Sequence, residues 1–157
     1  SKEDRVETTA RKGDKPVIIE ASTAEKQLHW FEETLEQTQA KAKHWRTAII
    51  AKTQEECEQL YEQSPENLKQ QVQLILDEED FMKRSIILLP AFLAKGLEFD
   101  RVFLWNINDE QFHTEQDKLI LYTMCTRAMH ELTLFTSFNK SPLLKAIDSL
   151  TYNKEVI

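Results

Sequence analysis

The chain has 157 residues, 41% of them hydrophobic and 30% charged, with a formal net charge of −7. That is enough apolar material for one domain with a core, and too much for a disordered chain. The acidic balance excludes nucleic-acid binding driven by overall charge, leaving only a local groove, and no apolar run is long enough to span a bilayer.

The first stretch, SKEDRVETTARKGDKP, is charged and carries no apolar secretory segment, so a cytoplasmic location is expected. Starting on Ser1 points to a processed chain or an excised fragment, and residues 1–16 read as an N-terminal extension. Val17 to Ala21 reads as a strand. The S-x-x-E of Ser22 to Glu25 reads as a capping box, opening a helix to about Ala42 with Leu28, Phe31, Leu35 and Ala42 facing inward.

Thr47 to Ala51 is the second strand. Thr53 to Glu56 is a second capping box, opening a helix to about Tyr61. Ser64-Pro65 supplies a cap and a first-turn proline for a short helix. Val72–Leu76, Ser85–Leu89, Val102–Ile107 and Glu131–Ser137 read as further strands. Thr114 to Asp117 opens a long helix between the last two, and Ser141-Pro142 starts a terminal helix. The strands are continuous apolar runs, as expected of strands covered on both faces, and helices alternate with them. The fold class is α/β, a three-layer domain on a mostly parallel sheet.

Cys57 and Cys125 are far apart and fit reduced thiols, and the four histidines form no ligand pattern, so no metal site is expected. Val72 to Asp80 resembles a strand ending in the Asp-Glu that holds a nucleotide-bound metal. That reading needs a phosphate loop, and neither Gly13 nor Gly96 sits in GxxxxGK[ST]. A solvated acidic turn is the better reading. Lys95, Gly96, Glu98 and Asp100 lie between two apolar strands, where a loop at a strand's carboxyl end binds ligands in such folds. Arg127 reads as a residue late in a mostly apolar helix, on a polar stripe with Thr123 and Thr126. It either meets an anion or snorkels to the helix end.

Taken together, Ala94-Lys95-Gly96-Leu97-Glu98-Phe99-Asp100 followed by Val102-Phe103-Leu104 resembles motif V of UvrD/Rep-type superfamily 1 helicases. Leu121-Tyr122-Thr123-Met124-Cys125-Thr126-Arg127-Ala128 followed by Leu132-Thr133-Leu134 resembles their motif VI. The resemblance extends more loosely over residues 11–144. It implies a RecA-like P-loop NTPase fold without its Walker A half: residues 17–157 as the C-terminal motor domain of an ATP-dependent DNA helicase. It assigns Arg127 to the γ-phosphate of ATP as the catalytic arginine finger and Glu98 to the ribose, with Gly96 allowing close backbone approach. Phe92, just before motif V, and Lys95, at its start, fall to single-stranded DNA. Pro90-Ala91-Phe92 stands where the family has Thr-x-His, and looks more like the HelD-like, RNA-polymerase-associated branch. The implied partners are the N-terminal RecA-like domain of the same parent, single-stranded DNA and RNA polymerase, with no membrane. ATP and Mg2+ are expected in the full-length parent only, and the chain alone is expected to be inactive. The alternative is a non-catalytic interaction module derived from a helicase.

Overall fold

The computed structural model describes residues 15–42, 44–137, 139–146 and 153–156, so almost all of the expected N-terminal extension lies outside it. The chain runs β1 (Val17–Glu20), α1 (Ala24–Lys41), β2 (Thr47–Ala51), α2 (Gln54–Gln63), α3 (Glu66–Gln71), β3 (Val72–Leu74), β4 (Ile86–Pro90), α4 (Ala91–Ala94), β5 (Phe99–Leu104), α5 (Glu115–Cys125), β6 (Ala128–Thr136), a 3-10 turn (Pro142–Ala146) and β7 (Asn153–Val156). The strands form one sheet in the order β3-β4-β2-β5-β6-β1-β7, and every neighbouring pair is parallel.

Side chains alternate across a strand, and the sheet sorts them into two cores. Ile49, Ile86, Leu88, Phe103 and Phe135 pack with Phe31 and Leu35 of α1, Cys57 and Leu60 of α2 and Leu68 of α3. Ala48, Ile50, Ile87, Leu89, Val102 and Leu132 face the other way, onto Ala94 of α4, Leu121, Met124 and Cys125 of α5, and Leu144. Phe31 anchors the first core, edge-on to Phe103, Trp105 and Phe135 at centroid distances of 6.2, 5.3 and 5.7 Å. The expected three-layer α/β domain with a parallel sheet is therefore what forms.

Several local expectations shift. The cap of α1 is Thr23, one residue after Ser22, its hydroxyl accepting from the Lys26 N–H at 3.1 Å. Thr53 caps α2 as expected. Pro65, not Ser64, holds the cap position of α3 and makes no side-chain cap bond; the Ser64 hydroxyl instead donates to the Leu60 carbonyl of the preceding helix. β3 stops at Leu74, β5 begins three residues early at Phe99, and β6 begins at Ala128. Asn106, at φ 65°, turns the chain after β5 and prevents that strand from reaching Ile107. Among the described residues the terminal helix is a 3-10 turn, Pro142–Ala146, and β7, which the sequence pattern does not announce, pairs with β1. The acidic Asp77–Asp80 stretch is an exposed turn, as the solvated reading expects.

Asp117 ties α5 to the sheet. Its carboxylate closes the capping box with Thr114, accepts the backbone N–H of His113 at 3.0 Å, and pairs with the Lys52 ammonium at 2.7 Å just beyond β2. Burial by itself would raise its pKa. The His113 N–H, the Lys52 ammonium and the Thr114 groups outweigh burial and hold it well below the ordinary carboxylate range. The folded pKa is depressed, so the unfolded chain takes up the proton first. The contribution is complete above about pH 4 and fades as pH falls below the unfolded value. Asp117→Asn should therefore cost about 2 kcal/mol at pH 7, in keeping with lost charge-assisted bonds. The gap from wild type should close as urea melts are repeated at pH values below about 4. A gap that is constant with pH would show that the charge is not what stabilises.

Cys57 and Cys125 are buried free thiols, and burial pushes both pKa values up to about 12. Each sits in one of the two cores as a small apolar filler.

Candidate nucleotide and nucleic-acid site

Pro90 ends β4 and starts α4, a single turn of helix. The chain then reverses. The Leu97 N–H donates to the Ala94 carbonyl at 3.0 Å across Lys95 (φ −58°, ψ 129°) and Gly96 (φ 83°). These are the angles of a type II turn, whose third position needs positive φ and hence glycine. No neighbour lies within 4 Å of where a Gly96 Cβ would sit, so the demand for glycine is conformational and the space above it is open. Lys95, Gly96 and Glu98 are all exposed. Phe92, on α4, is 64% exposed.

Arg127 departs from its expected place. The helix ends at Cys125 with Thr126 as its cap, so Arg127 lies in the turn entering β6 and not on a polar stripe of α5. Its Nε donates to the Thr123 carbonyl at 3.0 Å, Nη1 to the Leu97 carbonyl at 3.1 Å, and Nη2 to the Thr126 hydroxyl at 3.0 Å. The Thr126 hydroxyl donates in turn to the Thr123 carbonyl at 2.9 Å. The half-buried guanidinium thus closes off the C-terminus of α5, where free carbonyls and the helix dipole favour a cation. Every acceptor is neutral, and among the described residues no carboxylate pairs with it.

The two motifs meet through this residue. The Phe99 N–H donates to the Arg127 carbonyl at 2.9 Å, so Glu98 is flanked on both sides by residues bonded to Arg127. Phe99 also pairs in register with Ala128. Glu98 and Arg127 each directly precede a strand, which puts them at the amino end of the sheet. Phe92 follows the carboxyl end of β4. The expectation that the whole loop lies at the carboxyl ends of the strands is therefore half corrected. The segment from Ala91 to Glu98 runs from one end of the sheet to the other, because a parallel crossover must return to the starting edge.

The same amino edge carries Asp100 together with groups that the sequence pattern does not mark. The Asp100 carboxylate accepts the Arg46 N–H at 2.9 Å and lies 3.6 Å from His130 Nε2. His130 stacks on Trp45 with ring centroids 5.2 Å apart. Arg101, 1% exposed, meets Glu131 at 2.9 Å and lies over the Trp45 ring at 4.9 Å. Asp100 therefore serves backbone and side-chain contacts inside the domain. Thr126 and the Leu97 carbonyl were also missed as partners of Arg127. The adjacency of Thr126 and Arg127 was the available signal for the first, whereas a backbone acceptor thirty residues away in sequence leaves none.

Residues 86–135 match the UvrD-like helicase C-terminal domain family. No curated protein matches the chain. Among solved structures, the crystal structure of the C-terminal domain of a possible DNA helicase from Lactobacillus plantarum WCFS1 superposes with a TM-score of 0.79 at 38% identity, covering 98% of this chain and 91% of that one. The matched segment contains α4, the Gly96 turn and Arg127, and the likeness to the solved domain reaches past it to nearly the whole length, so the chain belongs to the family of UvrD-like helicase C-terminal domains.

Proposed function

We propose that this domain completes a shared ATP site in a superfamily 1 DNA helicase, supplying Arg127 as the arginine finger and Glu98 as a ribose contact across a cleft from the N-terminal RecA-like domain of its parent. One observation carries this reading: Glu98 and Arg127 stand together at one edge of the sheet, and among the described residues the Arg127 charge is held only by neutral acceptors. A guanidinium in that state retains its attraction for a polyphosphate. Three of its N–H groups are used, leaving one on each terminal nitrogen for a phosphate oxygen. Gly96 adds an exposed backbone with no side chain in the way. The residues present fit a triphosphate's outer end. The Mg2+ that accompanies the triphosphate is assigned to the other half of the shared site, where the phosphate loop missing from this chain would lie.

The polar turn then serves two ligands from two ends of the sheet. Nucleotide approaches Glu98 and Arg127 at the amino edge, and a single DNA strand approaches Phe92 and Lys95 beyond β4. Pro90-Ala91-Phe92 in place of Thr-x-His supports the HelD-like branch, with RNA polymerase as a further partner, and an aromatic ring there can stack on a base where the family's hydroxyl and imidazole are missing. Phe92→Ala in the full-length helicase should weaken single-strand binding by ~1–3 kcal/mol, while Lys95→Ala should reduce the slope of log affinity against log salt by ~1. Fluorescence titrations at several salt concentrations measure both. Equal affinity for Phe92→Ala and wild type would remove the stacking role.

A further inference from the structure

We infer that Thr126 is a positioning residue for the arginine finger, an assignment that rests on the reading of Arg127 above and adds the device that aims it. An arginine side chain has many rotamers, and a finger that must be ordered at the moment of reaction loses part of its effect to that ordering. Here the ordering is done in advance. The Thr126 hydroxyl is at once an acceptor for Arg127 Nη2 at 3.0 Å and a donor to the Thr123 carbonyl at 2.9 Å, and that same carbonyl takes Arg127 Nε at 3.0 Å. The Nε and Nη2 side of the fork therefore lies against two oxygens that are themselves hydrogen-bonded to each other. The Leu97 carbonyl, fixed by the Gly96 turn, holds Nη1 at 3.1 Å.

Two features make this an aiming device and not a parked state. The three bonds leave one N–H on each terminal nitrogen for an anion's oxygens. No member of the clamp is a carboxylate, so the positive charge is not cancelled. A hydroxyl at 126 suits the position because it accepts and donates in one direction each; a methyl there would leave Nη2 unheld and the plane of the guanidinium free to turn.

The test uses the full-length helicase with Thr126→Val, Thr126→Ser and Arg127→Ala, reading kcat and KM for ATP and the melting temperature. Valine keeps the shape and β-branching of threonine and removes only the hydroxyl. It should lower kcat between about tenfold and a hundredfold, the scale of a misplaced catalytic group, with KM and melting temperature close to wild type. Serine, which keeps the hydroxyl, should recover most of the loss. Wild-type turnover in Thr126→Val alongside a dead Arg127→Ala overturns the positioning role and leaves the finger standing. Equal impairment of the valine and serine variants with a lowered melting temperature assigns Thr126 to helix capping and overturns it too. Wild-type turnover in Arg127→Ala overturns the reading of the site itself, and this role with it.

Discussion

Arg127→Ala in the full-length helicase is expected to lower ATP turnover by ~10³–10⁵-fold, the range in which arginine fingers act. The loss should fall on kcat, with KM for ATP near wild type, because the finger meets charge that develops in the transition state. Arg127→Lys should recover little. An ammonium on a flexible stem cannot take the Thr123, Leu97 and Thr126 oxygens and also present two further donors to a phosphate. The contacts also predict a modest stability effect. Removing Arg127 strips neutral hydrogen bonds from the end of α5 and from the Gly96 turn, each worth about 1 kcal/mol or less where water can replace the donor. A drop of roughly 1–2 kcal/mol is therefore expected, far too small to account for the loss of turnover. Steady-state kinetics and thermal melts of the three proteins separate the two effects. Turnover equal to wild type would mean that Arg127 is a surface or structural arginine and not the finger.

Glu131→Ala is expected to destabilise the domain by about 3 kcal/mol, although the residue lies at the edge of the core. Arg101 sits in β5 between Thr47 of β2 and Glu131 of β6, which are its partners in register on either side. Its guanidinium is 1% exposed and its charge is met by the Glu131 carboxylate, which is 32% exposed. Thr47 Oγ1 at 3.4 Å and the Trp45 ring complete the surroundings. Removing the carboxylate leaves a buried cation with only a weak hydroxyl contact and a ring face. The partial exposure of Glu131 lets water reach the gap, which keeps the cost at the lower end for broken buried pairs. Arg101→Met should cost less than Glu131→Ala, since a similar apolar volume abolishes the desolvated charge while Glu131 can turn to solvent. Urea melts of both variants test this ordering. The reverse order would mean that Arg101 stabilises through packing on Trp45 and not through its ion pair.

Much of this protein could be read locally. Strands such as Thr47–Ala51 and Ile86–Pro90 announce themselves as unbroken apolar runs because they are covered on both faces, and every residue of both is buried. Thr53 and Thr114 announce helix starts because a capping hydroxyl acts within three residues of itself. Gly96 announces a turn because only glycine enters positive φ at no steric cost. The amino-acid order also carries both helicase motifs, so the family was legible before the fold. Side-chain chemistry over short separations determined these features.

What the tertiary structure alone decided involves partners far apart in the chain. Arg127 leaves α5 and enters a turn because Phe99 and Ala128 pair, and that pairing extends β6 backward at the helix's expense. Its clamp needs the Leu97 carbonyl, which only the adjacency of β5 and β6 brings near. The ion pair of Arg101 with Glu131 depends on the same adjacency. The division of one polar loop between the two ends of the sheet follows from the parallel crossover, and β7 is a strand because β1 offers it an edge. Periodicity reports whether a residue is buried. It carries no information about which strand lies beside which, since that choice is made by packing across the whole sheet, and the proposed site is assembled from that choice.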